Sequence, residues 1–174
     1  MAITKQDFII FSSIDWTIHW QLHHQLATSL VSAGNRVLFV DNTGIRSANI
    51  SDTKRLKERV VNWYKGAHGF SPIDKNLTVY SPLLLPFPYS KLSLFINKII
   101  FNKAISRWRR AAKFNNPIVI SFLPTPLIQN TIKHIMPKLT VYYCANNMAD
   151  SSISASQVSP YENKFFKNVD IVFT

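Results

Sequence analysis

The sequence predicts an α/β fold of three layers, in which helices cover both faces of a mostly parallel sheet of about six strands. Short runs rich in β-branched and aromatic residues alternate with longer helical patterns, which is typical of repeated strand–helix–strand units. The first run, FIIF at 8–11, is continuously apolar, as expected of a parallel strand buried on both faces. The chain has 174 residues and is 47% hydrophobic, which suffices for one domain with a substantial core.

The first half of the chain predicts three strands and two helices. The strands cover 8–14 (FIIFSSI), 36–42 (RVLFVDN) and 77–82 (LTVYSP). A helix over 18–33 places leucines on one stripe and stops at Gly34. A second helix, over 51–66, begins with capping residues, and the proline-rich stretch at 83–90 indicates a loop.

The second half continues the alternation. Strands are predicted at 117–123 (PIVISFL), at 139–147 (LTVYYCANN) and from 170 onward (DIVFT). Helices are predicted over 90–114, 125–136 and 159–169, the last with Pro160 in its first turn. These units predict one mostly parallel sheet. Because the sequence stops on an apolar strand with no closing helix, we expect it to belong to a longer chain.

The charge of the chain is strongly positive and unevenly placed. Lys and Arg number 20 against 9 Asp and Glu, which gives +11, and no acidic residue lies between Asp74 and Asp150. Such a field favours an anionic partner: nucleic acid, anionic lipid or a phosphorylated substrate. The single cysteine, Cys144, and a start without a signal-peptide pattern predict a cytoplasmic protein. No apolar run is long enough to span a bilayer.

Several enzyme classes lack their motifs here. The first strand is not followed by GxGxxG, the whole chain has four glycines, and no P-loop pattern occurs. A dinucleotide site is therefore not expected, because glycine is what lets the backbone approach a pyrophosphate. The histidines lack metal-ligand spacing and Cys144 has no neighbouring cysteine, so we expect no metal and no cofactor bound by this chain.

The stretch SSIDWTIHWQLHHQL at 12–26 is the richest in chemistry. It comes after the first strand, at the carboxyl edge where open α/β sheets bind ligands. Asp15 is either the N-cap of the following helix or a general base that takes a proton from a bound hydroxyl. Trp16 and Trp20 are either core anchors or flat platforms for a sugar ring.

The histidines of this stretch divide between two sides of the predicted helix. On a helical wheel His19 and His23 fall on the side of the leucines, while Gln21 and His24 fall on the polar side. His19 and His23 are therefore either satisfied core residues or the lining of a cleft.

The helix over 90–114 mixes apolar and basic residues. Its apolar positions include Leu92, Phe95, Ile99 and Trp108. It is either packed on the core with a solvated basic face or a patch that binds anionic membrane. Nucleic-acid binding is not expected, because no recognition module accompanies the charge. The basic residues of the predicted patch are Lys98, Lys103, Arg107, Arg109, Arg110 and Lys113.

The order of the motifs resembles the N-terminal half of bacterial glycosyltransferases with the GT-B fold, above all teichuronic acid and other cell-surface polysaccharide enzymes. The segments that carry the resemblance are DWTIHWQLHHQLATSLVSAGNRVLFVDNTGIR, GFSPIDKNLTVYSPLLLPFPYS, VISFLPTPL, VYYCANN and YENKFFKNVDIVFT. Leu22 stands where such sequences often have arginine, and Asn146 and Asn147 stand where they usually have an acidic pair.

The resemblance implies two Rossmann-like domains that face each other across a cleft. The first binds the acceptor, and the second, absent here, grips the nucleotide-sugar donor without needing a bound metal. The intact enzyme would transfer a hexosyl group to a hydroxyl of a polysaccharide or lipid-linked acceptor, at the inner face of the membrane. The alternative is a non-catalytic basic module that docks on an anionic membrane or partner protein. Carried over by position, the acceptor side would include Asp15, Trp16, Trp20, Gln21, Asn42, Gly44, Thr125 and Pro126.

Overall fold

A seven-stranded sheet with helices packed on both of its faces forms the fold. The computed structural model describes residues 3–43, 69–85, 87–144 and 155–174. In chain order the elements are β1 (Asp7–Phe11), α1 (Leu22–Ser32), β2 (Arg36–Val40), β3 (Phe70–Asp74), β4 (Leu77–Tyr80), α2 (Lys91–Ala111), β5 (Ile118–Ser121), α3 (Pro126–Ile135), β6 (Leu139–Tyr143), a 3₁₀ turn (Ala155–Val158), α4 (Ser159–Phe166) and β7 (Ile171–Phe173).

The sheet is mostly parallel, as the alternation of strands and helices predicts. Its strand order is β3-β4-β2-β1-β5-β6-β7, and every neighbouring pair is parallel except β3 with β4. From β1 the chain moves outward through β2 to β4, then returns to place β5 on the other side of β1. The strand order therefore reverses between β1 and β5, which is where open α/β sheets form a binding crevice.

The prediction of about six strands is wrong by one. The missed strand, β3, has the sequence FSPID and pairs antiparallel with β4 at the edge of the sheet. Pro72 cannot donate a ladder hydrogen bond, so this stretch is compatible only with an edge strand. The register also shifts between Pro72 and Asp74, which further weakens the alternation that identifies a strand.

The core lies on both faces of the sheet. The side chains of β1 alternate: Ile9 and Phe11 join one buried cluster, and Phe8 and Ile10 join the other. The first cluster includes residues of α2, α3 and α4, while the second includes Ala27 of α1. Both faces of β1 are thus covered, which explains why its sequence is continuously apolar.

Several predicted boundaries are too wide at the carboxyl ends of strands. The first strand ends at Phe11 instead of 14, and the first helix begins at Leu22 instead of 18. Between them the backbone is irregular, with a turn at 16–17 and bends at 13–14 and 18–19. The other predicted elements that the structure describes lie within their predicted ranges. The predicted helix over 51–66 lies outside the described residues.

The long helix α2 packs on the core through Phe101 and Ile105, as the core-packed alternative predicts, but part of its apolar surface lies outside the core. Leu92, Phe95 and Ile99 are exposed, whereas Asn97 and Asn102 are buried. The buried amides are tolerated because both are hydrogen-bonded, Asn97 to the backbone of the preceding loop and Asn102 to α3. Within the described ranges, no helix is both long enough and apolar enough to cross a bilayer.

Candidate functional site at the carboxyl edge of the sheet

Polar side chains occupy the carboxyl ends of the central strands. Ser12 comes directly after β1, Asp41 after β2 and Ser81 after β4, while Ser121 is the last residue of β5. The backbone N–H of Ser12 still donates to Val40 O at 3.0 Å, so this residue lies against the end of β2. Since parallel strands end at the same edge, the four polar residues form one row across it.

His23 links the loop after β1 to the end of β5. Its Nδ1 lies 3.0 Å from the Oγ of Ser12 and its Nε2 lies 3.4 Å from the Oγ of Ser13. Its ring packs on Phe122, with centroids 3.8 Å apart. The imidazole therefore lies between β1 and β5, at the reversal of strand order.

Burial keeps this imidazole uncharged. It lowers the pKa of His23 to about 4, with the charge of the adjacent His24 as a smaller cause. The neutral ring has one donor and one acceptor nitrogen, so it can donate to one serine hydroxyl and accept from the other. Ser12 Oγ is buried and accepts from the backbone N–H of Ile14 at 3.1 Å, whereas Ser13 is only half-buried. Ser13 is the hydroxyl that a ligand can reach.

Asp41 holds three segments of the edge together. Its Oδ1 accepts from the backbone N–H of Trp16 at 2.8 Å, and its Oδ2 accepts from the hydroxyl of Ser81 at 2.5 Å. The side chain is buried, and its own backbone N–H donates to Tyr80 O. One carboxylate thus fixes the loop after β1 and the end of β4 to the end of β2.

An aromatic cluster covers the start of α1. Trp16 packs on Phe39 and on His24, each with centroids 4.9 Å apart, and Trp20 stacks on His24 at 5.2 Å. The His24 ring is hydrogen-bonded at both nitrogens, to Trp16 O and to the N–H of Gln21. Trp16 is half-buried in the core, while Trp20 is 59% exposed. The two tryptophans therefore divide the two roles that the sequence left open: Trp16 is an anchor, and Trp20 offers a free face.

The assignment of His24 to the polar side of the helix is wrong. His24 is 1% exposed, because the segment 16–20 folds back over the first turn of α1 and covers it. The N-cap alternative for Asp15 is also wrong, since α1 begins after Gln21. Asp15 is half-buried in the loop, and its backbone carbonyl accepts from Ile18 N at 3.1 Å.

The other residues predicted to contact the acceptor differ in how exposed they are. His19 and Gln21 are exposed, and Asn42 is half-buried beside Asp41. Thr125 is 1% exposed and is the N-cap of α3, where its Oγ1 accepts from Ile128 N at 3.5 Å, so its hydroxyl is used within the fold. Gly44 lies outside the described residues.

Sequence reasoning missed the serines, Asp41 and Phe122 as parts of this site. The signal that identifies them is positional: each comes at or just after the end of an apolar run, as in FIIF-S, RVLFV-D, LTVY-S and IVIS-F. Because the predicted strands were drawn two or three residues too long, these polar residues were counted as strand residues.

Five of the six basic residues predicted for an anionic patch are exposed. Arg109 is the exception, since it is half-buried and donates from Nη1 to Ile135 O at 3.1 Å. Its guanidinium thus ties α2 to the end of α3. The exposed five are Lys98, Lys103, Arg107, Arg110 and Lys113.

A concavity of about 540 Å³ lies at the opposite, amino edge of the sheet. Asp7 and Arg36 lie at its centre and bond each other through two contacts of 2.8 Å. The guanidinium also donates to Ala112 O and Lys113 O. Since these groups are engaged with each other and with the backbone, the concavity is a joint of the fold and not the predicted crevice.

The carboxyl edge can hold a small polar ligand by stacking and hydrogen bonding. No group of three His, Cys, Asp or Glu side chains with metal-binding geometry occurs among the residues that the structure describes. No family model matches this chain, and no curated protein matches it.

Proposed function

We propose that this chain is the acceptor-binding, Rossmann-like half of a GT-B glycosyltransferase. The intact enzyme would transfer a hexosyl group from a nucleotide sugar to a hydroxyl of a cell-surface polysaccharide or a lipid-linked acceptor. The observation that carries the proposal is the position of the Trp- and His-rich segment, which lies at the carboxyl edge of a parallel sheet where the strand order reverses.

The chemistry of this edge suits a sugar ring. A pyranose has an apolar C–H face and a rim of hydroxyls, so a complementary site combines an aromatic surface with a few polar groups. Trp20 supplies the aromatic surface, and its position is fixed by stacking on the buried His24. Ser13 supplies a half-buried hydroxyl whose orientation is set by its hydrogen bond to the imidazole of His23.

Asp15 is the proposed general base. A carboxylate in the loop after β1 could take the proton of the acceptor hydroxyl as that oxygen attacks the sugar carbon. In the intact enzyme the nucleotide-sugar donor would be held by a second domain, so transfer would require both domains. Its proposed place of work is the cytoplasmic face of a membrane, where a lipid-linked acceptor is presented.

Replacement of Trp20 tests the sugar platform directly. We expect saturation-transfer NMR with methyl glycosides of glucose, galactose and N-acetylglucosamine to show transfer to the C–H face of at least one sugar. Trp20→Ala should abolish it, since the stacking surface is lost. Phe95→Ala serves as the control, because Phe95 is 62% exposed but lies on α2. Transfer that survives in Trp20→Ala, or none from any glycoside, would contradict the proposal.

A non-catalytic module that docks on an anionic surface is the second candidate. The exposed basic residues of α2 favour it. The two functions predict different sequences after Thr174 in the intact protein. An α/β domain with a glycine-containing phosphate loop supports the transferase, while an unrelated sequence or a stop supports the module.

A further inference from the structure

The first half of α2 carries apolar side chains on its outer side. Leu92, Phe95 and Ile99 are 69%, 62% and 52% exposed, and their spacing places them on one stripe of the helix. The inner side packs on the core through Phe101 and Ile105, which are fully buried. A helix whose outer side faces only water carries polar residues there, and these three positions do not. The outer side of α2 is therefore suited to a non-aqueous neighbour.

The loop before α2 extends this surface and is held in place. Asn97 Oδ1 accepts from Leu85 N at 2.8 Å, and its Nδ2 donates to Leu85 O at 3.0 Å. The N–H of Ser90 donates to Phe87 O at 3.0 Å, which closes the turn into the helix. Both loop side chains are about half exposed, Leu85 at 43% and Phe87 at 54%. We refer to Leu85, Phe87, Leu92, Phe95 and Ile99 together as the apolar face.

Basic side chains border the apolar face. Lys98 is about 100° around the helix from Ile99, and Lys103 follows Ile99 by about one turn. Arg107 and Arg110 continue along the same side, and all four are exposed. The sequence has no acidic residue between Asp74 and Asp150, so α2 itself carries no negative charge. Large apolar patches are rare on monomeric proteins and mark interaction surfaces.

The net charge of the chain favours an anionic bilayer over a second copy of this chain as the partner of the apolar face. A second copy of this chain also carries +11, so pairing two of these faces would bring lysines and arginines together. An anionic bilayer satisfies both components at once, because apolar side chains enter the boundary of the acyl chains while Lys and Arg reach the lipid phosphates.

We propose that the apolar face docks this protein on an anionic lipid bilayer, with α2 lying in the plane of the interface. Lys98 and Lys103 contact the headgroups, and Phe95 and Ile99 insert below them. The docking rests on the proposed function only for its location at a membrane, because lipid binding itself requires no sugar.

Vesicle sedimentation with the 174-residue chain tests the proposal. We expect binding to phosphatidylcholine vesicles that contain about 30% phosphatidylglycerol, a composition with a moderate negative surface potential, and far weaker binding to phosphatidylcholine alone. The triple variant Leu92→Ser, Phe95→Ser, Ile99→Ser should bind at least about ten-fold more weakly. The double variant Lys98→Gln, Lys103→Gln should bind roughly 25-fold more weakly, since each basic residue near the surface contributes about five-fold.

Matched controls lie on α3 and at the residue that follows it. Met136→Ser removes an apolar side chain that is 78% exposed, and Lys133→Gln removes an exposed lysine. Both should bind within about two-fold of the wild type, because electrostatic and apolar contributions fall off away from the interface. All replaced residues are exposed, so circular dichroism and thermal midpoints should match the wild type.

Three results would overturn the docking. The first is that the wild type fails to bind anionic vesicles, and the second is that the triple and double variants both bind as well as the wild type. The third is a dimer in sedimentation velocity that the triple variant abolishes. The third result would assign the face to a second copy of this chain. Lipid binding without any response to glycosides would remove the acceptor site and leave the docking intact, so the two proposals fail separately.

Discussion

His23 shows how one buried side chain can organise a polar edge. Its ring reaches two serine hydroxyls of the loop after β1 and packs on the aromatic residue that follows β5. Burial lowers its pKa to about 4, so the ring stays neutral at pH 7. A neutral ring can accept and donate at the same time, whereas an imidazolium could only donate.

Stability should therefore fall as the pH falls from about 6.5 to about 4. The unfolded chain takes up a proton at His23 near pH 6.5, but the folded protein does so only near pH 4. Between these values the unfolded state binds more protons, and so acid favours it. We expect about 2 kcal/mol of the free energy of unfolding to be lost by pH 4, with the shift discounted because the site is partly open to solvent.

The comparison with His23→Asn isolates this contribution. Asparagine keeps a hydrogen-bonding group near Ser12 but does not titrate, so urea unfolding at pH 7 and pH 4.5 should show a smaller acid loss in the variant. Equal losses in the two proteins would mean that His23 does not carry the effect.

Some residues of the site escape prediction because their environment is set by distant packing. The wheel separates His23 from His24, but both are buried, since the non-helical segment 16–20 covers the side that a wheel leaves open. Trp16 and Trp20 could not be told apart by sequence either. Trp16 packs on Phe39 of the second strand, whereas Trp20 is mostly exposed.

At the scale of the element, the two helix starts that follow loops at the sheet differ in how they are capped. Thr125 caps α3 with its side chain, which accepts from Ile128 N, and it is buried. Ser90 is the N-cap of α2, but its side chain makes no capping hydrogen bond. A hydroxyl side chain thus makes the capping hydrogen bond at α3 but not at α2.

Alanine at each cap should separate these roles. Thr125→Ala should lower the free energy of unfolding by about 1 kcal/mol, as expected for a lost N-cap and a buried N–H left without its acceptor. Ser90→Ala should change it by less than about 0.5 kcal/mol. Equilibrium urea unfolding measures both, and similar effects for the two variants would refute this distinction.

Strands and helices with a clear hydrophobic period were predicted from the sequence. A strand interrupted by proline and the exposure of part of a helix were not. The apolar runs of β1, β2 and β5 are buried on both faces and were assigned from sequence. The strand β3 was missed because Pro72 interrupts it. For α2 the helix itself was predicted, but the exposure of Leu92, Phe95 and Ile99 was not, because the sequence pattern does not show which apolar positions the core covers.

At the scale of the whole molecule, Arg36 connects the sheet to the layer of α2. It bonds Asp7 of β1 through Nε and Nη2, and donates from Nη1 and Nη2 to Ala112 O and Lys113 O at the end of α2. Its guanidinium carbon also lies 4.9 Å from the ring centroid of Phe114. A single guanidinium thus joins the first two strands to a helix on one face.

Lysine in place of Arg36 should not reproduce this joint. An ammonium lacks the planar fork that satisfies a carboxylate and two carbonyls together. We expect Arg36→Lys to lower the free energy of unfolding by about 1–2 kcal/mol, a value reduced by the partial exposure of the side chain. Arg107→Lys, at an exposed position of α2, should change it by less than about 0.5 kcal/mol. If both variants unfold at the same urea concentration as the wild type, the joint has no energetic role.

The arrangement of the whole sheet was largely predictable, because parallel strands joined by helices place all loops of one kind at one edge. That rule located the Trp- and His-rich segment from the sequence alone. The pairing within that edge was not predictable: the bonds from Asp41 to Trp16 and Ser81 connect residues 25 and 40 positions apart in the chain.

The position of Asp7 also bears on how the central strands find their alignment. It is the first residue of β1 in register with Arg36 of β2, and its second oxygen accepts from Asn115 N on the approach to β5. A slip of one residue moves a strand by about 3.3 Å, which would pull these partners apart and turn each side chain of the strand toward the opposite core. The Asp7 carboxylate therefore links the register of β1 and β2 to the segment that leads into β5. A sheet in the wrong register would lose these bonds and the packing of both cores together.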